Sequence, residues 1–124
     1  MSIPKALPTA VKVDREFLEG FHLAGNFHDA EIDKVGPVQG QTLTLPLYAI
    51  YFGRTYNYDW QGFREGVFRF HLPAGCELDF KPEVLSDETI MELNLGERGA
   101  LLWTRWRSFE WSYADVEFEF LRGE

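Results

Sequence analysis

Apolar and polar residues alternate one for one near the end of the chain, where Val116, Phe118 and Phe120 interleave with Asp115, Glu117 and Glu119. A period of two turns one face of a strand to a core and the other to water. The same rhythm recurs upstream. Between Gly66 and Leu72, Phe68, Phe70 and Leu72 stand against Val67, Arg69 and His71. Met91, Leu93 and Leu95 share one side of the run from Glu88 to Leu95, and Leu43, Leu45, Leu47, Ala49 and Tyr51 share one side of Gln41 to Phe52. Phe27 to Val35 alternates before Gly36-Pro37 stops it, and Ala100 to Arg107 and Glu110 to Leu121 complete the set. Pro46 offers no N–H to a ladder, which predicts an edge or a bulge there. Pro73-Ala74-Gly75 reads as a turn with Cys76 to Phe80 continuing as a strand, and Gly96-Glu97-Arg98-Gly99 as a hairpin loop.

Only one stretch breaks this rhythm toward a helix. Asp14 suits an N-cap, Glu16 a first turn and Gly20 a helix end, with Phe17, Leu18 and Phe21 as the buried side. Residues 1–13, with Pro4 and Pro8, read as an N-terminal arm. The remaining links are short, and short links join antiparallel neighbours, since parallel strands need long crossovers. The expected fold is mainly β: a single antiparallel β-sandwich or partly open barrel of six to seven strands with one short N-terminal helix, in one domain over residues 1–124.

Composition narrows the function classes. The chain has 124 residues, 45% hydrophobic and 16% aromatic, which is ample for one core. A net charge of −8 argues against nucleic acid as a partner, because phosphate binding runs on Lys and Arg. No apolar run approaches the roughly 18 residues of a membrane helix, so no membrane partner is expected. Met1-Ser2-Ile3-Pro4-Lys5 has no apolar stretch of a secretory signal, and the expected location is cytoplasmic. A single cysteine, Cys76, excludes an internal disulfide and a cysteine-based zinc site.

Candidate chemistry is sparse. Phe27-His28-Asp29-Ala30-Glu31 is the densest polar cluster, and a His beside carboxylates suits a general base or a metal ligand. On a strand, however, His28 and Asp29 face opposite ways, and the plainer reading is a buried histidine hydrogen-bonded to backbone. His71 lies with Arg69 on a polar strand face, His22 stands alone, and no histidine spacing suits a metal. The serines lie in no nucleophile elbow, and Cys76 beside Glu77 reads as a buried or half-buried structural thiol. No catalytic residue, metal or cofactor is expected on these grounds.

Rings and acids carry more information. Tyr48, Tyr51, Phe52, Tyr56, Tyr58, Trp60 and Phe63 crowd around a loop from Gly53 to Gly62. Tyr56, Tyr58 and Trp60 read either as a recognition loop or as a lid folded over one end of the sandwich. A second aromatic group, Trp103, Trp106, Phe109, Trp111 and Tyr113, spans a hairpin. Trp103 and Trp106 differ by three and take opposite sides of one strand, which leaves at least one on the less-buried face beside Arg105 or Arg107. From Cys76 to Glu92 six acids, Asp79, Glu83 and Asp87 among them, face one Lys81. Such a face speeds association with a basic partner, or serves solubility alone.

At Phe27-His28-Asp29-Ala30-Glu31-Ile32 the chain resembles a group of small bacterial domains of unassigned function. These open with an aromatic-His-Asp pattern on a first strand and continue as an antiparallel meander, and some are similar to immunity proteins of bacterial toxin systems. Thr42 to Leu47, Val67 to Leu72 and Ile90 to Leu95 follow the same outline. The loop between Phe52 and Phe63 departs from it, and the resemblance implies no activity for these residues.

Three functions stay open. The first is a non-enzymatic protein-binding domain, in the immunity manner, taking a basic protein through Asp79, Glu83, Asp87 and the loop of Tyr56, Tyr58 and Trp60. The second is a small-molecule-binding barrel or enzyme with His28 and His71 converging on a pocket. The third is a homo-oligomeric structural module, a homodimer for instance, whose aromatic surfaces bury one another.

Overall fold

The computed structural model describes residues 10–13, 15, 18–19, 21, 25–49, 63–97 and 99–123. Along them run eight strands: β1 (Ala10–Lys12), β2 (Glu31–Ile32), β3 (Thr42–Tyr48), β4 (Phe63–His71), β5 (Ile90–Leu95), β6 (Gly99–Thr104), β7 (Ser108–Ser112) and β8 (Asp115–Gly123). Every pairing is antiparallel. Five strands form one sheet in the order β1-β8-β4-β3-β2, and three form a second in the order β5-β6-β7. The fold is thus mainly β, an open sandwich, as the alternation predicts. Among the described residues no helix is long and apolar enough to cross a membrane.

The sheets are joined along one edge by backbone hydrogen bonds, with Thr89 Oγ1–H to the Glu31 carboxylate and Val35 N–H to Ser86 Oγ beside them. Asp29 N–H donates to Ile90 O (2.8 Å), Ile90 N–H to Ala30 O (2.9 Å), Ile32 N–H to Glu88 O (2.8 Å) and Asp87 N–H to Ile32 O (2.8 Å). Residues 29–32 therefore lie between β3 and the lead-in to β5. The inner faces then meet over one core, in which Leu43, Leu45, Leu47, Phe68, Phe70 and Phe118 oppose Ile90, Leu93, Leu102, Phe109 and Trp111. Rings dominate it. Phe118 packs 4.7 Å from Phe68, Phe68 5.5 Å from Phe70, and Phe70 meets Trp111 edge-on at 5.2 Å. Gly66 makes room for this packing, because a Cβ there would fall 2.2 Å from the Phe118 ring.

Several boundaries differ from the sequence pattern, each for a local reason. Ala10–Lys12, at the end of the N-terminal arm, packs as a strand on β8. Arg15, Leu18, Glu19 and Phe21 are helical, and Phe21 is fully buried edge-on to Phe27 at 4.8 Å. Phe17 and Gly20 lie outside the described residues. The alternation from Phe27 to Val35 yields only the two residues of β2, because Asn26, Phe27 and Asp29 take positive φ (55°, 56° and 74°) and form a turn. Cys76 to Phe80 forms no strand. Glu110 to Leu121 is broken at Ala114, whose N–H donates to His71 O at 2.7 Å, so β7 and β8 belong to different sheets. Pro46 lies in β3 where β2 gives out: its carbonyl still accepts from Asp33 N–H (2.9 Å), and the N–H it lacks would point to that same thin edge.

Candidate functional site

The acidic residues singled out by sequence meet different fates. Asp79, Glu83 and Asp87 are all exposed, but no contact joins the three. Asp87, at φ 65°, holds Lys34 Nζ at 2.6 Å, and this hydrogen bond and charge raise the Lys34 pKa. Glu83 stands in the first turn of a 3₁₀ segment, Pro82–Leu85. Asp79 gains company from a distant part of the chain. It lines two adjoining grooves that share Glu110, Trp111 and Ser112 of β7: one of about 500 Å³ that extends over Asn94 and Leu101, and one of about 230 Å³ that Glu77 also lines. Glu110 was not legible as a partner of Asp79, since it is the packing of Phe80 on Phe109 (5.0 Å) and Trp111 (6.0 Å) that brings the two segments side by side. Tyr56, Tyr58 and Trp60 lie outside the described residues.

The histidines do not converge. Glu31 pairs with Tyr48 at one end of β3, and Thr42 with His71 at the other. His28, just before β2, is therefore separated from His71 by roughly 20 Å of strand. His28 is not buried either. Its side chain is 49% exposed with Nδ1 3.1 Å from Asp29 Oδ2. The positive-φ turn, not strand alternation, orients both side chains and sets them together. His71 belongs to a polar row on the outer face of the five-stranded sheet. Its Nδ1 is 3.1 Å from Thr42 Oγ1, its Nε2 3.9 Å from Glu117, and beside it Arg69 grips Glu119 at 2.7 Å. Among the described residues no three His, Cys, Asp or Glu side chains are grouped to hold a metal ion. Cys76 is exposed rather than structural.

The second aromatic group divides more sharply than its spacing implies. Phe109, Trp111 and Tyr113 are buried, whereas Trp103 is 49% and Trp106 80% exposed. Trp103 lies on the outer face of β6. A bulge between Ile90 and Glu92 turns Met91 out as well, against the period-two reading of β5. Trp106 lies beyond the end of β6, in a turn that Thr104 ties together. Thr104 N–H and Oγ1–H both donate to Arg107 O, at 2.8 and 3.1 Å. That turn holds Arg105, Trp106 and Arg107 in solvent, and the Arg107 guanidinium lies 5.3 Å over Phe109, not over a tryptophan. Around β7, then, rings and arginines mark the turn end, and carboxylates the other. No protein-family model, curated protein or solved structure matches this chain.

Proposed function

We propose that this protein is a non-enzymatic binding domain that recognises another protein through its three-stranded sheet. The observation that carries the reading is the exposure of Trp106 (80%) and Trp103 (49%), with Met91 turned out beside them. Burying a large apolar side chain is worth about 1.5–3 kcal/mol, which folding alone leaves unused here. Trp and Arg are also the residues that concentrate binding energy at interfaces. Glu77, Asp79 and Glu110 support a partner with basic groups, and Arg105 and Arg107 would meet its acidic rim. Neutralising a basic cytoplasmic toxin is the form of this reading to which the resemblance at Phe27–Ile32 leads. The alternative with His28 and His71 around one pocket is not carried forward, since β3 separates them.

Native mass spectrometry of the tagged protein, drawn gently from its host cells, tests the proposal. The expected result is a stoichiometric second polypeptide that a Trp103→Ser/Trp106→Ser variant loses. A bare monomer from both proteins, or a partner retained equally by both, overturns it. A retained small molecule in place of a polypeptide also overturns it and returns the weight to a ligand pocket.

A further inference from the structure

The backbone of β7 has one side in use. Thr104 N–H bonds to Arg107 O, so these two residues form a hydrogen-bonded pair at the hairpin end. Antiparallel pairs alternate between bonded and non-bonded, and β7 follows β6 in register from Trp103↔Ser108 to Gly99↔Ser112. Phe109 and Trp111 therefore aim their N–H and C=O at β6. Ser108, Glu110 and Ser112 aim theirs away from it, and among the described residues no strand pairs with that side.

Natural sheets guard such an edge with Lys, Pro, a bulge or a covering segment. β7 reads Ser-Phe-Glu-Trp-Ser and has none of the first three, and residues 76–79, which face it across the smaller groove, make no backbone hydrogen bond to it. At the far side of the same sheet, by contrast, residues 29–32 cover the lead-in to β5. The grooves beside the open edge show what could lie there. Asp79 and Glu110 line both and Glu77 the smaller, with no Lys or Arg among the described residues there, and Leu72 and Leu78 form the floor of the smaller one. An added strand points successive side chains to opposite faces. It would thus set one row against Leu72 and Leu78 and the other against the carboxylates.

We infer that the open edge of β7 docks an extended partner segment in which basic and apolar residues alternate, added to the sheet as a fourth strand. The inference rests on the binding-domain reading and names the chemistry of the partner. A second copy of this chain does not fit. Two β7 edges paired about their centres would put Glu110 against Glu110, and like charges directly opposite are unfavourable.

The probe is a short capped peptide of alternating lysine and valine, with a glutamate–valine peptide as control, and the readout is amide hydrogen exchange resolved by NMR. The lysine peptide is expected to slow exchange at Ser108, Glu110 and Ser112 by about tenfold, and the glutamate peptide to leave it unchanged. Asp79→Lys/Glu110→Lys should weaken binding by about tenfold or more. Ser112→Pro removes an outward N–H without touching the β6 ladder and should abolish the protection with the circular dichroism unchanged. Absence of binding, or protection away from β7, overturns the inference. So does protection at these amides without peptide that disappears on dilution, which would mean a second copy. A host partner that stays bound to the Ser112→Pro protein and leaves with the two tryptophans overturns the β7 edge alone and leaves the binding-domain reading in place.

Discussion

The outer faces of the two sheets are built to opposite rules. On the five-stranded sheet the polar groups answer one another: Thr42 meets His71, Arg69 meets Glu119, and Glu117 lies within 3.9 Å of His71. Arg69 and Glu119 are only 33% and 23% exposed at the side chain, and Val67 among them is buried. On the three-stranded sheet Asn94 holds Glu92, but Trp103 and Met91 face water, and among the described residues Glu110 meets no cation. The first face pairs its polar groups with one another and leaves Tyr48, at the end of β3, 40% exposed. The second leaves Trp103 49% exposed, and it is there that the proposed binding role places the partner.

Four substitutions sharpen or break this contrast. The largest effect belongs to the core under the five-stranded sheet. Gly66→Ala drives a methyl into the Phe118 ring, and overpacking of this kind costs about 1–3 kcal/mol. Denaturant melts should show it, and Phe118→Leu on that background should recover part of the loss. Unchanged stability would mean that the sheet yields as easily as an edge. Next comes the anchor of the smaller sheet. The Tyr113 hydroxyl donates to Gly96 O, tying the entry to β8 to the turn after β5, and Tyr113→Phe should cost about 1 kcal/mol.

That same hydroxyl carries a pH dependence. Burial raises the Tyr113 pKa above its ordinary value of 10.0, so the folded state holds the proton more tightly than the unfolded one. The associated stability is complete below pH 10 and declines as pH climbs from there toward the folded pKa. Melts of wild type above pH 10 should steepen relative to Tyr113→Phe; parallel curves would remove the burial argument. The smallest effect compares the faces directly. Arg69→Ala should cost about 0.5–1 kcal/mol by leaving Glu119 half-buried without its cation. Trp106→Ser should change stability by less than about 0.5 kcal/mol while it removes the partner. The reverse order would make the tryptophan structural and end the contrast.

Much of the architecture was legible because a period of two needs no tertiary knowledge. Val116 and Phe118 face in while Asp115, Glu117 and Glu119 share the outer face, as their alternation says. β2 was not legible in its true length, since nothing in Phe27-His28-Asp29 marks residues that are not glycine as left-handed. The alternation puts Met91 on the side of Leu93 and Leu95 for a similar reason: a bulge adds a residue to one strand, and only the partner strand reveals it. Trp106 was placed on a strand because its turn contains neither Gly nor Pro and is held by the Thr104 side chain instead. Glu110 and Asp79 lie 31 positions apart, and no local pattern joins them.

What the sequence determines by itself is therefore the strand class, the faces and the acidic surplus, each a property of neighbours along the chain. The tertiary structure alone decides which strand is left with an open edge, which carboxylates gather beside it and which tryptophans remain in water. These depend on sheet order and register, and backbone hydrogen bonds between distant segments carry no trace in local composition.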